Sequence, residues 1–359
     1  MAHIVSGALK DYDWGVVDGL ARWHAVTGAP QAELWFGTHP AGPAVVVEGA
    51  AVGRTLDDLP EHRGMPMVKL LAASTPLSIQ VHPDARMAER GFGAGSPLYA
   101  DGAEKAEMLV ALSPFDIHAG WRDATQAARV LELAGAPDSL VARVRSGDRA
   151  GALREVLGLD RVTCALIEPR LVAAATTAGW SSAAVSALAR VAATHPADPG
   201  VLATVLLDHA LLSPGEGVAV SAGVVHSYVA GLGVEVMTSS DNVLRLGLTS
   251  KTIAVEEALA AVHDDRRPVA LRGFAGEVLA PPSMPFDLVI ADDALDLPTG
   301  RHRLVLALHG AVRADGDDGS VLEVAEGRAA VWAPSEPGAL IVPEGTAVVV
   351  TGRADQLPG

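Results

Sequence analysis

Residues 302–309 (HRLVLALH), 320–325 (SVLEVA), 328–333 (RAAVWA) and 338–351 (GALIVPEGTAVVVT) follow one another within fifty positions of the chain's C-terminal part. Each is a short run rich in Val, Leu, Ile and Ala, of the kind that fits a pleated, half-buried surface. Only Gly, Asp and Pro turns stand between them. Parallel strands need a crossover of a dozen or more residues, usually helical, and no helix intervenes here. The regular spacing therefore predicts an antiparallel sandwich or jelly roll.

Outward from there, the texture holds and then breaks. Residues 217–221 (VAVSA), 234–238 (VEVMT) and 243–248 also read as strands around turns. Upstream, residues 123–134 (DATQAARVLELA) carry a helical period, with Asp123 as N-cap and Gly135 as stop. Residues 137–145, 148–158, 181–193 and 199–212 repeat that pattern, each starting near Asp, Ser or Pro. Residues 1–120 return to short apolar runs cut by Gly-Pro and His-Pro steps. They are mostly strand, with helical stretches expected around Ala21 and over 67–73. The expected fold class is mainly β with a helical insert: two jelly-roll β modules plus an all-helical domain. Residues 1–121 and 213–265 make the first β domain, 122–212 the helical domain, and 266–359 the C-terminal β domain.

The chain has 359 residues, 49% of them hydrophobic, so it can bury a large core. Its 43 acidic and 27 basic residues give a net charge of −16, a poor match for nucleic-acid phosphates. No apolar stretch approaches the ~18 residues of a membrane helix. The start MAHIVSGALKDYDWG does not read as a signal peptide. The lone cysteine, Cys164, allows no internal disulfide and fits a reducing cytoplasm. These features predict a cytoplasmic protein with no nucleic-acid or membrane partner. Only four lysines occur, Lys10, Lys69, Lys105 and Lys251, so those near polar motifs mark places where a compact ammonium is wanted.

Four local features carry candidate chemistry. In Ser78-Ile79-Gln80-Val81-His82-Pro83-Asp84, strand alternation turns Gln80 and His82 to one face. Glu104-Lys105-Ala106-Glu107-Met108 offers the Glu107 carboxylate. His226, in Gly223-Val224-Val225-His226-Ser227-Tyr228, falls at a strand end. Glu235, Asp241, Arg245 and Lys251 crowd into a short stretch with apolar residues between, where charges are costly unless paired or used. Taken together, Gln80, His82, Glu107 and His226 form a nitrogen and oxygen donor set that suits Zn²⁺. The bland alternatives are a satisfied histidine, a solvated turn and a structural ion-pair network. The other histidines, His3 and His62 among them, lack partners at useful spacing. The Gly91–Ser96 loop has no following Lys-Ser/Thr for a P-loop, and no G-x-S-x-G elbow exists.

On these residues the chain resembles the type I phosphomannose isomerases, within the cupin superfamily. The resemblance rests on Tyr12-Asp13-Trp14-Gly15, ELWFGTHP at 33–40, LSIQVHPD ending at Asp84, EKAEM at 104–108, and AGVVHSY through SSDNVLRLGLTSK at 222–251. It spans about residues 4–260 in order. It implies two cupin-type modules around a helical domain, and one Zn²⁺ per chain (other divalent metals being possible) on Gln80, His82, Glu107 and His226. It implies a pocket lined by Trp14, Glu33, His39, Lys69, Ser78, Lys105, Tyr228, Glu235, Asp241, Arg245 and Lys251. The activity implied interconverts mannose 6-phosphate and fructose 6-phosphate by proton transfer between C1 and C2 through an enediolate. Arg245, Lys105, Glu235 and Asp241 are the catalytic candidates, and a sugar phosphate is the partner. The oligomeric state stays open, with a monomer plausible. One departure stands out: Glu104 and Ala106 replace the His and Pro usual in that family. The alternatives are an isomerase for a different aldose and a non-catalytic sugar-binding protein.

Overall fold

A computed structural model of the chain describes residues 2–273 and 276–353. The outer ends of the ranges above, residue 1 and residues 354–359, lie outside the described residues. Met67–Ala73 is apolar except at Lys69 and forms a strand buried along its whole length. A run covered on both faces has no strand alternation to display, so the helix expected over 67–73 is corrected to a strand. Around Ala21 the chain makes turns rather than a helix, with Ala21 N donating to Asp18 O at 3.0 Å.

This strand sits inside the largest sheet. Its order is Val269–Arg272, Glu216–Val220, Glu107–Ala111, His226–Met237, Met67–Ala73, Glu33–Phe36 and Ala8–Lys10, antiparallel throughout. His226–Met237 belongs to two layers. Its later residues pair with Met67–Ala73 and Glu107–Ala111. Its first residues pair with Phe115–Trp121 and, at His226, with Gln80. The corner falls at Gly231, where φ is +144° and a Cβ would lie 2.5 Å from the Phe115 ring. Glycine alone fits both the angle and the approach. The sheet thus folds over itself, and Tyr228 and Glu235 of the same strand meet across the enclosed space.

The outer face of this sheet, including Val68, Leu70, Val110 and Val234, packs on a seven-stranded sheet through Leu304, Val331 and Val348. That sheet packs its other face on a four-stranded one through Val305, Ala330, Ile341 and Val349. Two of the seven strands, His3–Ser6 and Val45–Glu48, come from the beginning of the chain, and His3–Ser6 pairs with Arg328–Trp332. The C-terminal β layer is therefore not built from residues 266–359 alone. Its local strands Arg303–His309, Val321–Val324 and Arg328–Trp332 fall where alternation and turns place them. The single run expected over 338–351 is corrected to two strands, Ala339–Pro343 and Thr346–Gly352, parted by the bend at Glu344-Gly345 and paired in different sheets.

Helices cover the folded-over half of the large sheet, where Ile79, Val81, Leu244 and Leu246 meet Leu131, Leu153, Leu171 and Leu202. Ala124–Ala134 begins with Asp123 accepting from Gln126 N at 3.0 Å and ends at Gly135 with φ +78°. Asp138–Arg145, Arg149–Leu157 and Ser182–Thr194 follow the sequence pattern closely. A further helix, Arg161–Thr177, has Pro169 inside and no single apolar stripe, so periodicity did not mark it. The helix expected over 199–212 is two elements. Pro199–Thr204 is helical, and Leu207–Leu212 is a strand against Phe115–Trp121 with only its end leucines buried. Among the described residues, no helix is long and apolar enough to cross a membrane.

Candidate functional site

The enclosed space between the two halves of the large sheet is lined at one end by Leu71, Leu109, Phe115, Val220 and Tyr228. The polar residues gather at its other end. On the folded-over half, Gln80 is the register partner of both His226 and Arg245, so three neighbouring strands aim these side chains the same way. Ile79 and Val81 face the helices, which turns Gln80 inward, and His82 follows two residues later. Asp84 then caps the helix Ala85–Gly93, accepting from Met87 N at 2.8 Å. That cap fixes the chain just beyond His82.

His82, Glu107 and His226 are fully buried, and one ligand atom from each lies within 4.8 Å of the others. His226 Nε2 stands 3.0 Å from Glu107 Oε1, and His82 Nε2 stands 3.6 Å from Oε2. The two imidazoles meet edge to face at 4.7 Å. His226 Nδ1 donates to Val224 O at 2.9 Å, which leaves Nε2 as the lone-pair nitrogen pointing into the cluster. His82 Nε2 and His226 Nε2 have no hydrogen-bond partner, and Glu107 Oε2 has only the Lys105 ammonium beside it. Buried polar atoms rarely stay in that state, and a cation bound to all three would satisfy them. The donor set, two neutral nitrogens and a carboxylate with Gln80 alongside, fits Zn²⁺. Burial holds the His82 imidazole well below its ordinary value, in the neutral form a metal needs. Burial pushes the Glu107 carboxyl up, but Lys105 and His82 outweigh it and hold the group well below the usual carboxylate range.

Two further groups surround this cluster. Lys105 Nζ lies 3.0 Å from Glu107 Oε2, and the Tyr228 hydroxyl donates to Glu107 Oε1 at 3.0 Å. Burial, with Glu107 and Glu235, pushes the Tyr228 phenol well above its ordinary value, so it remains a donor. Next to them, Lys69 Nζ is 2.8 Å from Glu235 and 3.7 Å from Glu33. Lys69 and Glu235 are register partners, so the pair follows directly from the sheet. Burial pulls the Lys69 ammonium down, but Glu235 and Glu33 more than offset it and keep it raised. Burial raises the Glu33 carboxyl against the pull of Lys69.

At the rim, His39 Nδ1 accepts from Ala41 N at 3.2 Å and Nε2 donates to Asp241 at 3.0 Å. That hydrogen bond holds the Asp241 carboxyl below its usual range although burial opposes it. Trp14 stacks with Tyr12 at 5.7 Å and packs against the apolar end. Ser78 is half-buried before Ile79–Val81, Arg245 is half-buried, and Lys251 is exposed. The structure therefore brings Gln80, His82, Lys105, Glu107, His226 and Tyr228 together, with Lys69, Glu33 and Glu235 beside them. Lys251 makes no ion pair within the described residues.

Some members of the site carried no signal on their own. Trp35 donates Nε1–H to Glu33 at 3.0 Å and has Lys69 over its ring at 5.1 Å. It lies two residues after Glu33 on one strand, and that alternation was the available clue. A second set fixes the segment bearing Lys105. Asn242 donates to Asp101 O at 2.8 Å and Ala103 O at 2.7 Å, Ser240 donates to Asp101 at 2.9 Å, and Thr238 Oγ1 donates to Glu104 O at 3.0 Å. Glu104 is not part of the His82–Glu107–His226 group. Its carboxylate accepts from Ala85 N at 3.1 Å, on the N-terminus of the helix that follows His82.

A family model described as the catalytic domain of type I phosphomannose isomerase matches residues 4–124. The mannose-6-phosphate isomerase of Schizosaccharomyces pombe is 30% identical over 291 residues, covering 69% of this chain and 70% of that protein. The Escherichia coli K12 mannose-6-phosphate isomerase is 28% identical over 373 residues, covering 92% of this chain and 90% of that one. A solved zinc-bound mannose 6-phosphate isomerase has a TM-score of 0.83 at 24% identity, over 98% of this chain and 99% of that chain. A mutant phosphomannose isomerase from Salmonella typhimurium gives 0.86 at 23%, with the same coverage. At those identities the two solved structures share the fold.

Proposed function

The chain belongs to the type I phosphomannose isomerases, and we propose from that premise that it interconverts mannose 6-phosphate and fructose 6-phosphate as a metal-dependent aldose–ketose isomerase. The observation that carries this reading is the buried trio His82, Glu107 and His226, in which both imidazole Nε2 atoms face the carboxylate and lack a hydrogen-bond partner. These three, with Gln80 as the fourth ligand, would hold one Zn²⁺.

When bound, the ion supplies a Lewis acid beside the oxygens on C1 and C2 of the opened sugar. The chain's own side chains do the remainder. Glu235 is our choice of proton acceptor, since it is a buried carboxylate positioned by Lys69 at 2.8 Å. It takes the proton from C2 and returns it at C1, by way of an enediolate. Lys105 balances the negative charge that develops on oxygen in that step. Lys69 is committed to two carboxylates, whereas no carboxylate lies within salt-bridge distance of Arg245 or Lys251 among the described residues. Those two cations, with the Ser78 hydroxyl, are the better choice for the phosphate. Asp241 orients His39 at the rim, while Trp14 and Glu33 shape the walls.

The same reading keeps the three-part division of the chain, 1–121 with 213–265, 122–212 and 266–359, with His3–Ser6 and Val45–Glu48 lent to the C-terminal layer and Val269–Arg272 to the large sheet. A cytoplasmic setting is supported by the single cysteine. The net charge of −16 argues against nucleic acid as a partner. The deciding experiment is a mannose 6-phosphate isomerase assay with metal analysis of the same sample, before and after chelation. Activity lost on chelation and restored by Zn²⁺ is the expected result. Full turnover in metal-free protein rejects the reading.

A further inference from the structure

A second group of metal-binding side chains lies away from the pocket. His3 is on the strand His3–Ser6, and Glu61 and His62 are on the 3-10 turn Pro60–His62. One ring nitrogen of each histidine and one carboxylate oxygen of Glu61 lie within 4.8 Å of one another. The imidazoles meet edge to face at 5.7 Å. His3 is 7% and His62 1% exposed, whereas Glu61 is exposed. His3 Nδ1 and both ring nitrogens of His62 have no hydrogen-bond partner. His302 stands behind them, bonded to the backbone of Arg63, and its Nδ1 is also unpartnered.

This is an unusual way to bury imidazole. A histidine kept only for packing normally places its nitrogens on carbonyls or hydroxyls, because an orphaned buried polar group loses its hydration without replacement. His209 does so, with Nε2 on Asp116 at 2.9 Å. His3 and His62 turn their nitrogens toward each other and toward a carboxylate instead.

We propose that His3, His62 and Glu61 form a second metal site, for a divalent d-block cation such as Zn²⁺ or Co²⁺. Two imidazoles and one carboxylate make a nitrogen-rich borderline donor set that suits these ions better than Mg²⁺ or Ca²⁺. The exposed Glu61 provides the entry path and leaves the remaining coordination to water. Glu336 adds negative charge near both imidazoles. A bound ion would tie the first strand, which is paired with Arg328–Trp332, to the turn at 60–62. The site is therefore a structural clasp between the N-terminal strand and the turn at 60–62, and it does not depend on the isomerase reading.

The test is equilibrium dialysis of chelator-stripped full-length protein against Co²⁺, with the visible d–d absorption recorded. The wild type, Glu61→Ala, His62→Gln and His226→Ala are compared. The expected result is two ions per wild-type chain, with one remaining in His226→Ala. Glu61→Ala, a surface change that spares the fold, weakens one equivalent about tenfold or more. His62→Gln removes that equivalent. One ion in the wild type that disappears in His226→Ala overturns the second site and leaves the pocket's metal intact. A second equivalent insensitive to both Glu61→Ala and His62→Gln overturns it as well.

Discussion

The space between the two halves of the large sheet holds Glu33, Lys69, Lys105, Glu107 and Glu235, whereas the space between the seven- and four-stranded sheets is closed by Val305, Val312, Ala330, Ile341 and Val349. Both interiors are lined by antiparallel strands with alternating side chains. The second also contains a buried cation, Arg303, but its terminal nitrogens donate to the carbonyls of Ala333, Glu336 and Pro337. In the first, the charged groups face one another, and the Nε2 atoms of His82 and His226 remain unused. A buried charge that serves structure ends on backbone acceptors. A buried charge kept for chemistry ends on other side chains and leaves lone pairs facing a cavity.

The sharpest way to press this contrast is Glu107→Gln. The substitution keeps the shape but removes the charge shared by His82, Lys105, His226 and Tyr228. The expected loss in kcat/KM is about a thousandfold or more, several kcal/mol of transition-state stabilisation, together with the pocket's bound metal. Activity within tenfold of wild type, with the metal retained, would mean that the charges in the first interior are as structural as Arg303. The opposite interior predicts the opposite behaviour. Ile341→Ala empties a fully buried position and should cost about 2–5 kcal/mol of stability in urea unfolding, with kcat unchanged at temperatures where the protein stays folded. A fall in kcat without a fall in stability would erase the distinction between the two interiors.

How much of this was readable beforehand differs between the two regions in the same way. The C-terminal strands of the second sandwich were legible because they are short and separated by turn residues, whereas the addition of His3–Ser6 and Val45–Glu48 to the same sheet, from the other end of the chain, was not. The site was legible as a list of donors, since Gln80 and His82 share a face by alternation, but its assembly was not. Glu107 and His226 are brought to His82 by strand pairings between distant segments and by the corner at Gly231. Such register is decided by whole-sheet packing. The strand at 67–73 was hidden for a related reason, both of its faces being covered. The grouping of His3 with His62 could not be read either, because a strand and a 3-10 turn far apart in sequence carry it. The network of Asp101, Ser240 and Asn242 is invisible to any periodicity, since it joins two irregular segments.

A titratable group outside both interiors shows whether burial alone gives the pocket its properties. His118, between the folded-over half of the sheet and the helices, is held down to about 3 by burial, with His209 and Arg122 adding to the effect. Its folded value lies below the unfolded 6.5, so between those limits the unfolded chain binds the extra proton. This residue's contribution to stability is therefore full above pH 6.5 and falls as the pH drops toward 3, by up to ~1.4 kcal/mol per unit. Urea unfolding of His118→Gln between pH 6.5 and 4.5 should give a shallower dependence than wild type. Identical slopes would remove His118 from the acid-sensitive set.

The smallest effect concerns the residue that departs from the family pattern. If Glu104 serves the helix Ala85–Gly93, as its bond to Ala85 N indicates, then Glu104→Gln removes one negative charge from that helix's N-terminus and keeps a weaker acceptor there. The cost should be about 0.3–1 kcal/mol in stability, screened by salt. Asp84 remains as the N-cap and still fixes the chain next to His82, so kcat/KM for mannose 6-phosphate should change less than threefold. That combination would place Glu104 with Arg303, as a charge spent on backbone. A tenfold or larger loss in kcat with no change in unfolding would instead place it with Lys105 and Glu107, and the boundary between the two kinds of buried charge would have to be drawn through the segment 104–107 itself.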